Sequence, residues 1–383
     1  MAKKPAMRYV ARRKTVRTPE PKSERSHDLP GQVVLVLQGG GALGAYQAGV
    51  YQALHEAGIE PDWVIGTSIG AINGAIIAGN RPEERVARLR MLWQRFEQAP
   101  QFAALRYWPT LTFGIPHFFA PRLPAWGVLQ APVGLDAASY YSTAPLRETL
   151  ASLIDLEVLN AAHPRLAVGA VSVTRGELRY FDSRDAALGL DEVMASAALP
   201  PGFPAVRVDG AAYWDGGLYS NTPLEAVLDD NPRRDSVIFS VNVWQATGDE
   251  PESLWQVMAR EKDIRYATRD DSHIARQKQI HKLRHVIREL EKELPSEKRG
   301  SAKSRELASW GCGTTMHVVR LLAPALHGED YLKDLDFSGA GIRSRCEAGR
   351  SDARRMIERA PWSAAVDPME GVVVHELSAR TGG

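Results

Sequence analysis

The sequence predicts an α/β protein with a mainly parallel central sheet. Two strand–helix units follow one another, at 33–57 and 62–74, and such a succession implies parallel strands joined by right-handed crossovers. The first strand, 33–37, is an unbroken apolar run, which is typical of a strand buried on both faces of a sheet. The chain has 383 residues, 44% of them hydrophobic, so it is long enough for one large domain or two modest ones.

The overall totals exclude several classes of function. With 47 Lys and Arg against 46 Asp and Glu, the formal net charge of +1 gives no indication of a nucleic-acid partner. The two cysteines, Cys312 and Cys346, make neither a disulfide framework nor a metal cluster, which favours a reducing, cytoplasmic location. No run of about 18 apolar residues occurs, so we expect no transmembrane helix.

Residues 1–30 form a basic segment without apolar periodicity, and we expect a disordered arm. The arm is either a solvated tail or a segment that is weakly attracted to an anionic membrane surface. No apolar stretch follows its cations, so the pattern is not that of a secretory signal.

The region 31–248 continues the α/β pattern beyond the first two units. An unusual segment at 102–126 interleaves seven aromatic residues with four prolines. It is either an irregular excursion that packs on the core or a lid or acyl-chain wall over a site. The remaining pattern predicts helices at 82–98, 140–153 and 191–199, hairpins around Arg175-Gly176 and Asp209-Gly210, and a strand at 236–243.

The region 249–383 is predicted to be a C-terminal extension. Its first part, 253–294, reads as a helical hairpin with a break at 270–272, packed on the core. The segment 295–305 is polar and expected to be flexible, before a strand at 314–322 and a helix at 339–359. A coiled-coil-like stripe either packs on the parent domain or makes a dimer contact, and it consists of Ile280, Leu283, Ile287, Leu290 and Leu294.

The pentapeptide Gly66-Thr67-Ser68-Ile69-Gly70 lies between the second strand and an apolar segment rich in small residues. A strand, a sharp turn and a helix in that order hold a serine hydroxyl clear of the sheet, where it can act as a nucleophile. The flanking glycines avoid collisions with the neighbouring strand and helix. The alternative is that Ser68 merely caps the helix.

A glycine run, Gly39-Gly40-Gly41, follows the first strand and precedes a helix. Its successive backbone N–H groups can converge on one anion, as an oxyanion hole requires. Because it follows the neighbouring parallel strand, it should lie at the same sheet edge as Ser68. The alternative is a dinucleotide-binding loop, which we disfavour because the expected acid would be Glu60 or Asp62, neither cleanly at a strand end.

The third element is Asp215, which is followed by Gly216 and Gly217 at the end of an apolar stretch. A carboxylate can accept a proton directly from a serine hydroxyl when it is held within hydrogen-bond reach. The glycines would permit close approach, although an Asp-Gly-Gly sequence is also a common plain turn.

Together, Gly39-Gly40-Gly41, the pentapeptide around Ser68 and Asp215-Gly216 resemble the patatin-like phospholipase family in type and order, as does the block 195–206. The resemblance covers 33–242. It implies a three-layer α/β/α fold, a catalytic core at 31–248, and cleavage of lipid acyl esters through an acyl-enzyme, without a cofactor, metal or histidine. It assigns Ser68 as nucleophile, Asp215 as base, and the amides of Gly39, Gly40, Gly41 and Ala42 as the oxyanion hole.

One departure concerns Leu43, which stands where the family often has an arginine, so nothing follows about a charged head group. Two other hypotheses stay open. An ordinary α/β-hydrolase triad would need a late histidine, either His317 or His327. A catalytically silent scaffold would bind lipid or a partner through the basic arm and the helical hairpin. The oligomeric state is also left open by the sequence.

Overall fold

The computed structural model describes residues 29–98, 108–122, 132–161, 163–267, 269–326, 329–367 and 369–377, except for the side chains of 269–271 and 273. The arm at 1–28, part of the aromatic segment (Phe102, Tyr107 and Trp126) and His327 therefore lie outside the described residues.

The amino-terminal part contains both predicted strand–helix units. Its elements are β1 (Gln32–Leu37), a 3₁₀ turn (Gly41–Gly44), α1 (Ala45–Glu56), β2 (Trp63–Gly66), α2 (Ile69–Ala78), α3 (Pro82–Phe96) and the short α4 (Trp108–Phe113). The helix α1 ends before Gly58, which adopts a left-handed φ of 71°. The helix α3 begins at a proline, with Glu83 and Glu84 in its first turn.

The middle part runs from residue 120 to 242. Its elements are β3 (Ala120–Pro121), β4 (Tyr141–Ser142), α5 (Ala144–Leu153), α6 (Leu156–Asn160), β5 (Arg165–Ser172), β6 (Leu178–Asp182), α7 (Leu190–Ser196), β7 (Val206–Val208), β8 (Ala211–Asp215), α8 (Leu224–Leu228) and β9 (Ser236–Asn242). Both predicted hairpins are confirmed, with left-handed φ angles at Gly176, Asp209 and Gly210.

The carboxyl-terminal part departs more from the sequence prediction. Its elements are α9 (Leu254–Ala267), α10 (Arg269–Glu293), α11 (Ser296–Arg299), α12 (Ala302–Ala308), β10 (Met316–Leu322), α13 (Gly339–Arg359) and β11 (Val372–Glu376). The helix α9 is described to Ala267 and α10 from Arg269, so residues 270–272 lie within α10 and the predicted position of the break is wrong. The segment predicted to be flexible carries α11 and the start of α12, and Ser301 caps α12 through the amide of Ser304.

Within the described residues, the strands form a nine-stranded sheet in the order β11-β10-β9-β1-β2-β5-β8-β7, and β6 pairs with β5. Pairing is parallel from β11 to β5, whereas β6 and β8 run antiparallel to β5. The mainly parallel sheet is therefore confirmed. Because β1 and β2 are parallel neighbours with Leu37 beside Gly66, the loops that follow them meet at one edge.

Helices cover both faces of the sheet, which gives the expected three layers. In β1, Val33, Leu35 and Leu37 face one core with α1, α2, α3 and α13, while Val34 and Val36 face a second core with α8 and α10. Burial on both faces explains why this strand is apolar at every position.

The predicted stripe on α10 does not form its packed face. Leu283 and Leu290 are 64% and 61% exposed, whereas Ile274, Gln277 and His281 are buried. Gln277 is held on this face by a hydrogen bond, because its Nε2 donates to Asp229 Oδ1, 2.9 Å away. The other three stripe residues, Ile280, Ile287 and Leu294, are half-buried, so the expectation that the stripe packs on the parent domain is wrong only for Leu283 and Leu290. The dimer contact stays a prediction.

Candidate active site

Ser68 lies in a strained turn between β2 and α2. Its φ of 58° and ψ of −125° are unusual for a residue with a side chain, and its amide donates to the carbonyl of Ser196 at 3.1 Å. The glycines on either side are required by close approach. A Cβ on Gly66 would lie 2.3 Å from the carbonyl oxygen of Gly70, and one on Gly70 would lie 2.2 Å from that of Leu37.

The glycine loop approaches Ser68 at the same sheet edge. A Cβ on Gly39 would lie 3.0 Å from Cβ of Ser68. Within the described residues, the N–H groups of Gly40, Gly41 and Ala42 have no acceptor, so they can donate to an anion. The Gly39 N–H instead donates to the carbonyl of Asn221 at 3.1 Å. The expectation that Gly39 supplies an oxyanion donor is therefore corrected.

The carbonyl of Gly39 is fixed by two side chains. It accepts hydrogen bonds from Trp244 Nε1 at 2.7 Å and from Asn221 Nδ2 at 3.0 Å. Because a peptide group is planar and trans, the N–H of Gly40 must point away from these two donors. The fully buried Gln38 supports the same region, since its Oε1 accepts from the Trp244 amide at 3.1 Å.

Asp215 ends β8 and is 1% exposed. Its Oδ1 accepts from the Gly217 amide at 2.7 Å, whereas its buried Oδ2 has no hydrogen-bond partner in the described part of the chain. Burial raises the pKa of this carboxyl to about 7, and the neighbouring Ser68 hydroxyl and Gly217 amide offset only part of the rise. Gly216 is needed here because a Cβ would lie 2.4 Å from the carbonyl oxygen of Gly169.

Ser68, Asp215 and the glycine loop line a single cavity of about 180 Å³. The apolar lining residues include a group of mutually contacting rings, which we call the apolar end of the cavity, and Phe118 and Phe119 of the aromatic segment belong to it. These two side chains are also buried in the core, so packing on the core is confirmed for this part of the segment, and the lid or acyl-chain wall stays a prediction. The apolar end is formed by Ile69, Ile72, Phe118, Phe119, Leu199, Phe203, Leu335 and Phe337.

The other end of the cavity is polar, and residues beyond 243 supply much of it. Trp244, Lys262, Tyr266 and Asp334 line this end together with Asn221. The backbone of Asp334 also touches the glycine loop, because a Cβ on Gly41 would lie 2.4 Å from its carbonyl oxygen. Sequence reasoning missed this group, because only the folded chain brings α9 and residue 334 to the loop.

The histidine alternative receives no support from the described residues. His317 lies near the start of β10, in register with Val237 and hence with Val33, at the opposite end of the parallel strands from Ser68. Four residues of strand separate Val33 from Leu37, or roughly 13 Å. His317 Nδ1 instead lies 3.0 Å from His375 Nε2.

Comparison with known proteins gives two matches to family models. A model described as patatin-like phospholipase matches residues 35–228, just over half of the chain, and one described as patatin phospholipase matches residues 264–369. None of the described helices is long and apolar enough to span a bilayer.

Curated relatives share shorter segments. Lysophospholipase nte1 of Aspergillus terreus is 40% identical over 95 residues, which cover 23% of this chain and 6% of that protein. Patatin-like phospholipase domain-containing protein 6 of Homo sapiens is 44% identical over 63 residues, which cover 16% of this chain and 5% of that protein. An uncharacterized NTE family protein of Mycobacterium bovis is 29% identical over 200 residues, covering 52% and 46%. The chain spans less than half the length of these relatives.

Two solved structures are distantly similar. VipD from Legionella pneumophila is 16% identical with a TM-score of 0.38, covering 86% of this chain and 67% of that one. The type III effector protein ExoU is 14% identical with a TM-score of 0.30, covering 86% and 53%.

Proposed function

This chain belongs to the patatin-like phospholipase family, and from that premise we propose that it is a serine acyl hydrolase that cleaves lipid acyl esters. Ser68 is the proposed nucleophile and Asp215 the proposed base. The observation that carries the proposal is the cavity that Ser68 shares with Asp215 and the glycine loop, where Asp215 Oδ2 and the loop amides have no hydrogen-bond partner among the described residues.

In the proposed first step, Ser68 Oγ attacks the ester carbonyl and its proton passes to Asp215 Oδ2. Hydrogen bonds between catalytic groups are often loose before substrate binds and tighten in the complex. The tetrahedral intermediate places a negative charge on the former carbonyl oxygen. The N–H groups of Gly40, Gly41 and Ala42 would stabilise this charge, together with the positive end of α2, which begins at Ile69.

Collapse of the intermediate breaks the ester bond, and Asp215 returns the proton to the departing alcohol. The acyl group then remains on Ser68 until a water molecule, deprotonated by Asp215, hydrolyses it by the same route. A carboxyl with a pKa near 7 can both accept and donate a proton at neutral pH, which supports this double role.

The apolar end of the cavity supports an acyl chain as the group that is held. Its aromatic and aliphatic side chains would take an alkyl chain out of water, at about 0.8 kcal/mol for each buried methylene group. The ester carbonyl then reaches Ser68, and the alcohol half of the substrate extends toward the polar end.

The nucleophile is tested with Ser68→Ala. This variant should lose hydrolysis of a p-nitrophenyl acyl ester by at least about a thousandfold, and a fluorophosphonate probe should no longer label it. The matched control is Ser309→Ala, at an exposed serine beyond α12, which should keep full activity. Retained hydrolysis in folded Ser68→Ala contradicts the proposal, and a wild-type protein that the probe does not label favours the silent scaffold.

We extend the proposal to peripheral contact with a membrane. Two segments that supply lining residues of the cavity, and the helix α4 that precedes Phe118 in the chain, carry exposed large apolar side chains, as expected of a surface that meets a lipid interface. These side chains are Trp108 and Phe113 in α4, Leu218 and Tyr219 after Asp215, and Leu254 and Trp255 in α9.

Co-sedimentation with phosphatidylcholine vesicles, with and without phosphatidylglycerol, tests this contact. The variant Leu254→Ser/Trp255→Ser should bind both kinds of vesicle less well than the wild type. Deletion of residues 1–28 should reduce binding only to the anionic vesicles, because the arm contributes charge. Equal binding by all three proteins contradicts the extension.

A further inference from the structure

We propose that Lys262, which the C-terminal extension supplies, binds a phosphate group in the alcohol half of the substrate, so that phosphate-bearing acyl esters are preferred over neutral ones. This inference rests on the acyl hydrolase function proposed above. It gives the extension, residues 249–383, a direct part in substrate selection.

Lys262 is the cation among the described residues that line the cavity, where the other charged groups are Asp215 and Asp334. The glycine loop brings none of its own, since Leu43 is buried in the core. A phosphate bound beside Ser68 would therefore be neutralised by the ammonium group of Lys262 on α9 rather than by a cation of the glycine loop.

The ammonium group of Lys262 has a donor left for a ligand. Its Nζ donates to Asp334 Oδ1 at 2.6 Å and to the Tyr331 carbonyl at 3.3 Å. An ammonium group carries three N–H donors, so one remains. The side chain is 16% exposed, which allows contact with a ligand while the ion pair with Asp334 stays intact.

Neighbouring contacts hold this ammonium group in place. Nζ of Lys262 lies 4.7 Å from the centre of the Tyr331 ring and 5.8 Å from that of Trp244. A second ion pair joins the same two segments in the opposite sense, from Lys333 Nζ to Asp263 Oδ1 at 2.7 Å. The two crossed ion pairs fix α9 against residues 333–334. The side chain of Lys262 therefore loses less conformational entropy when a ligand binds.

The polar end also lies on the side of the departing alcohol. Tyr266 lies one turn after Lys262 on α9. Burial raises the pKa of its phenol, and the nearby charges of Asp215 and Asp334 raise it further. Asp215 is the group proposed to protonate the alcohol, so the alcohol half of the substrate must lie beside these residues. The protonated phenol of Tyr266 would offer a further donor.

The test compares two substrates with the same acyl chain, 1-oleoylglycerol 3-phosphate and 1-oleoylglycerol, in the same detergent micelles. Lys262→Met should lower kcat/KM for the phosphate substrate by about 10- to 100-fold and change that for the neutral substrate by less than about threefold. Lys262→Arg should recover most of the loss because it keeps the charge. The control is Lys292→Met, an exposed lysine of α10.

A second variant separates ligand binding from structural support. Asp334→Asn removes the carboxylate that competes with phosphate, so it should raise kcat/KM for the phosphate substrate, opposite in sign to Lys262→Met. If the ion pair served only to hold the fold, both variants would lower activity on both substrates alike. Equal losses on the two substrates, or no loss in Lys262→Met, overturn the inference.

Binding is measured separately from catalysis, in a Ser68→Ala background. Isothermal titration with 1-oleoylglycerol 3-phosphate should give at least about tenfold weaker binding when Lys262→Met is added. This measurement decides the role of Lys262 even if the wild type hydrolyses neither substrate, which would contradict the proposed function alone. Unchanged binding in the double variant overturns the inference.

Discussion

The indole N–H of Trp244 donates a hydrogen bond to the carbonyl oxygen of Gly39, 2.7 Å away. Since Asn221 donates to the same oxygen, the peptide group between Gly39 and Gly40 is held from one side, and its N–H must point to the other. Residues far apart in the sequence thus orient a donor of the proposed oxyanion hole.

Trp244→Phe should therefore impair catalysis without abolishing it. Asn221 still holds the Gly39 carbonyl, and a single hydrogen bond contributes about 0.5–1.5 kcal/mol, so we expect kcat on a p-nitrophenyl ester to fall by about 3- to 10-fold with little change in KM. Trp310→Phe, at a 66% exposed tryptophan, is the control. A change confined to KM would show that Trp244 acts on substrate binding instead.

The pH dependence of activity should report on Asp215. Burial raises its pKa to about 7, and the proposed base works only when ionised. We expect kcat/KM to fall about tenfold for each pH unit below about 7 and to level off above it. Initial rates with a neutral ester between about pH 5 and pH 9 measure this. Activity that stays constant down to about pH 5 would contradict the assignment.

The same carboxyl should make the fold less stable as pH rises. Unfolded Asp215 has a pKa of 3.8 and the folded form one of about 7, so between these values the unfolded state binds fewer protons and the free energy of unfolding falls. Asp215→Asn cannot ionise, so its free energy of unfolding should not fall with pH for this reason. Relative to the wild type, it should gain roughly 2–3 kcal/mol between about pH 5 and pH 8 in urea unfolding. A difference that does not change with pH contradicts the raised pKa.

The sequence predicted the local parts of the site better than its distant ones. The strand, sharp turn and glycines around Ser68 are encoded within a dozen residues. The glycine loop is also encoded by a short, local stretch of sequence. Lys262 and Trp244 could not be found in this way, because their places depend on which strands are neighbours and on how α9 crosses the sheet edge. The edge strand β11 was missed for a related reason, since its short run includes His375 and Glu376.

The corrected orientation of α10 can be tested by stability. Ile274→Ala removes a side chain that is 6% exposed and should lower the free energy of unfolding by about 2–4 kcal/mol. Leu283→Ala lies in the exposed stripe and should change it by less than about 0.5 kcal/mol. Urea unfolding of both variants gives the comparison. A larger loss for Leu283→Ala would mean that the apolar stripe is the packed face.

The length of the acyl chain that is accepted should depend on Phe118, which lines the apolar end of the cavity. Its ring lies 4.6 Å from that of Phe96, 5.7 Å from Phe203 and 5.8 Å from Phe337, centre to centre. Phe118→Leu replaces this ring by a smaller apolar side chain, which leaves more room for an acyl chain. The ratio of kcat/KM for p-nitrophenyl dodecanoate to that for the butyrate should rise by about 3- to 10-fold, since each added buried methylene is worth about 0.8 kcal/mol.

Because the ratio is taken within one variant, a general loss of stability cancels. Trp310→Leu, at a 66% exposed aromatic position beyond α12, should leave the ratio unchanged. An unchanged ratio in Phe118→Leu would place the acyl chain elsewhere.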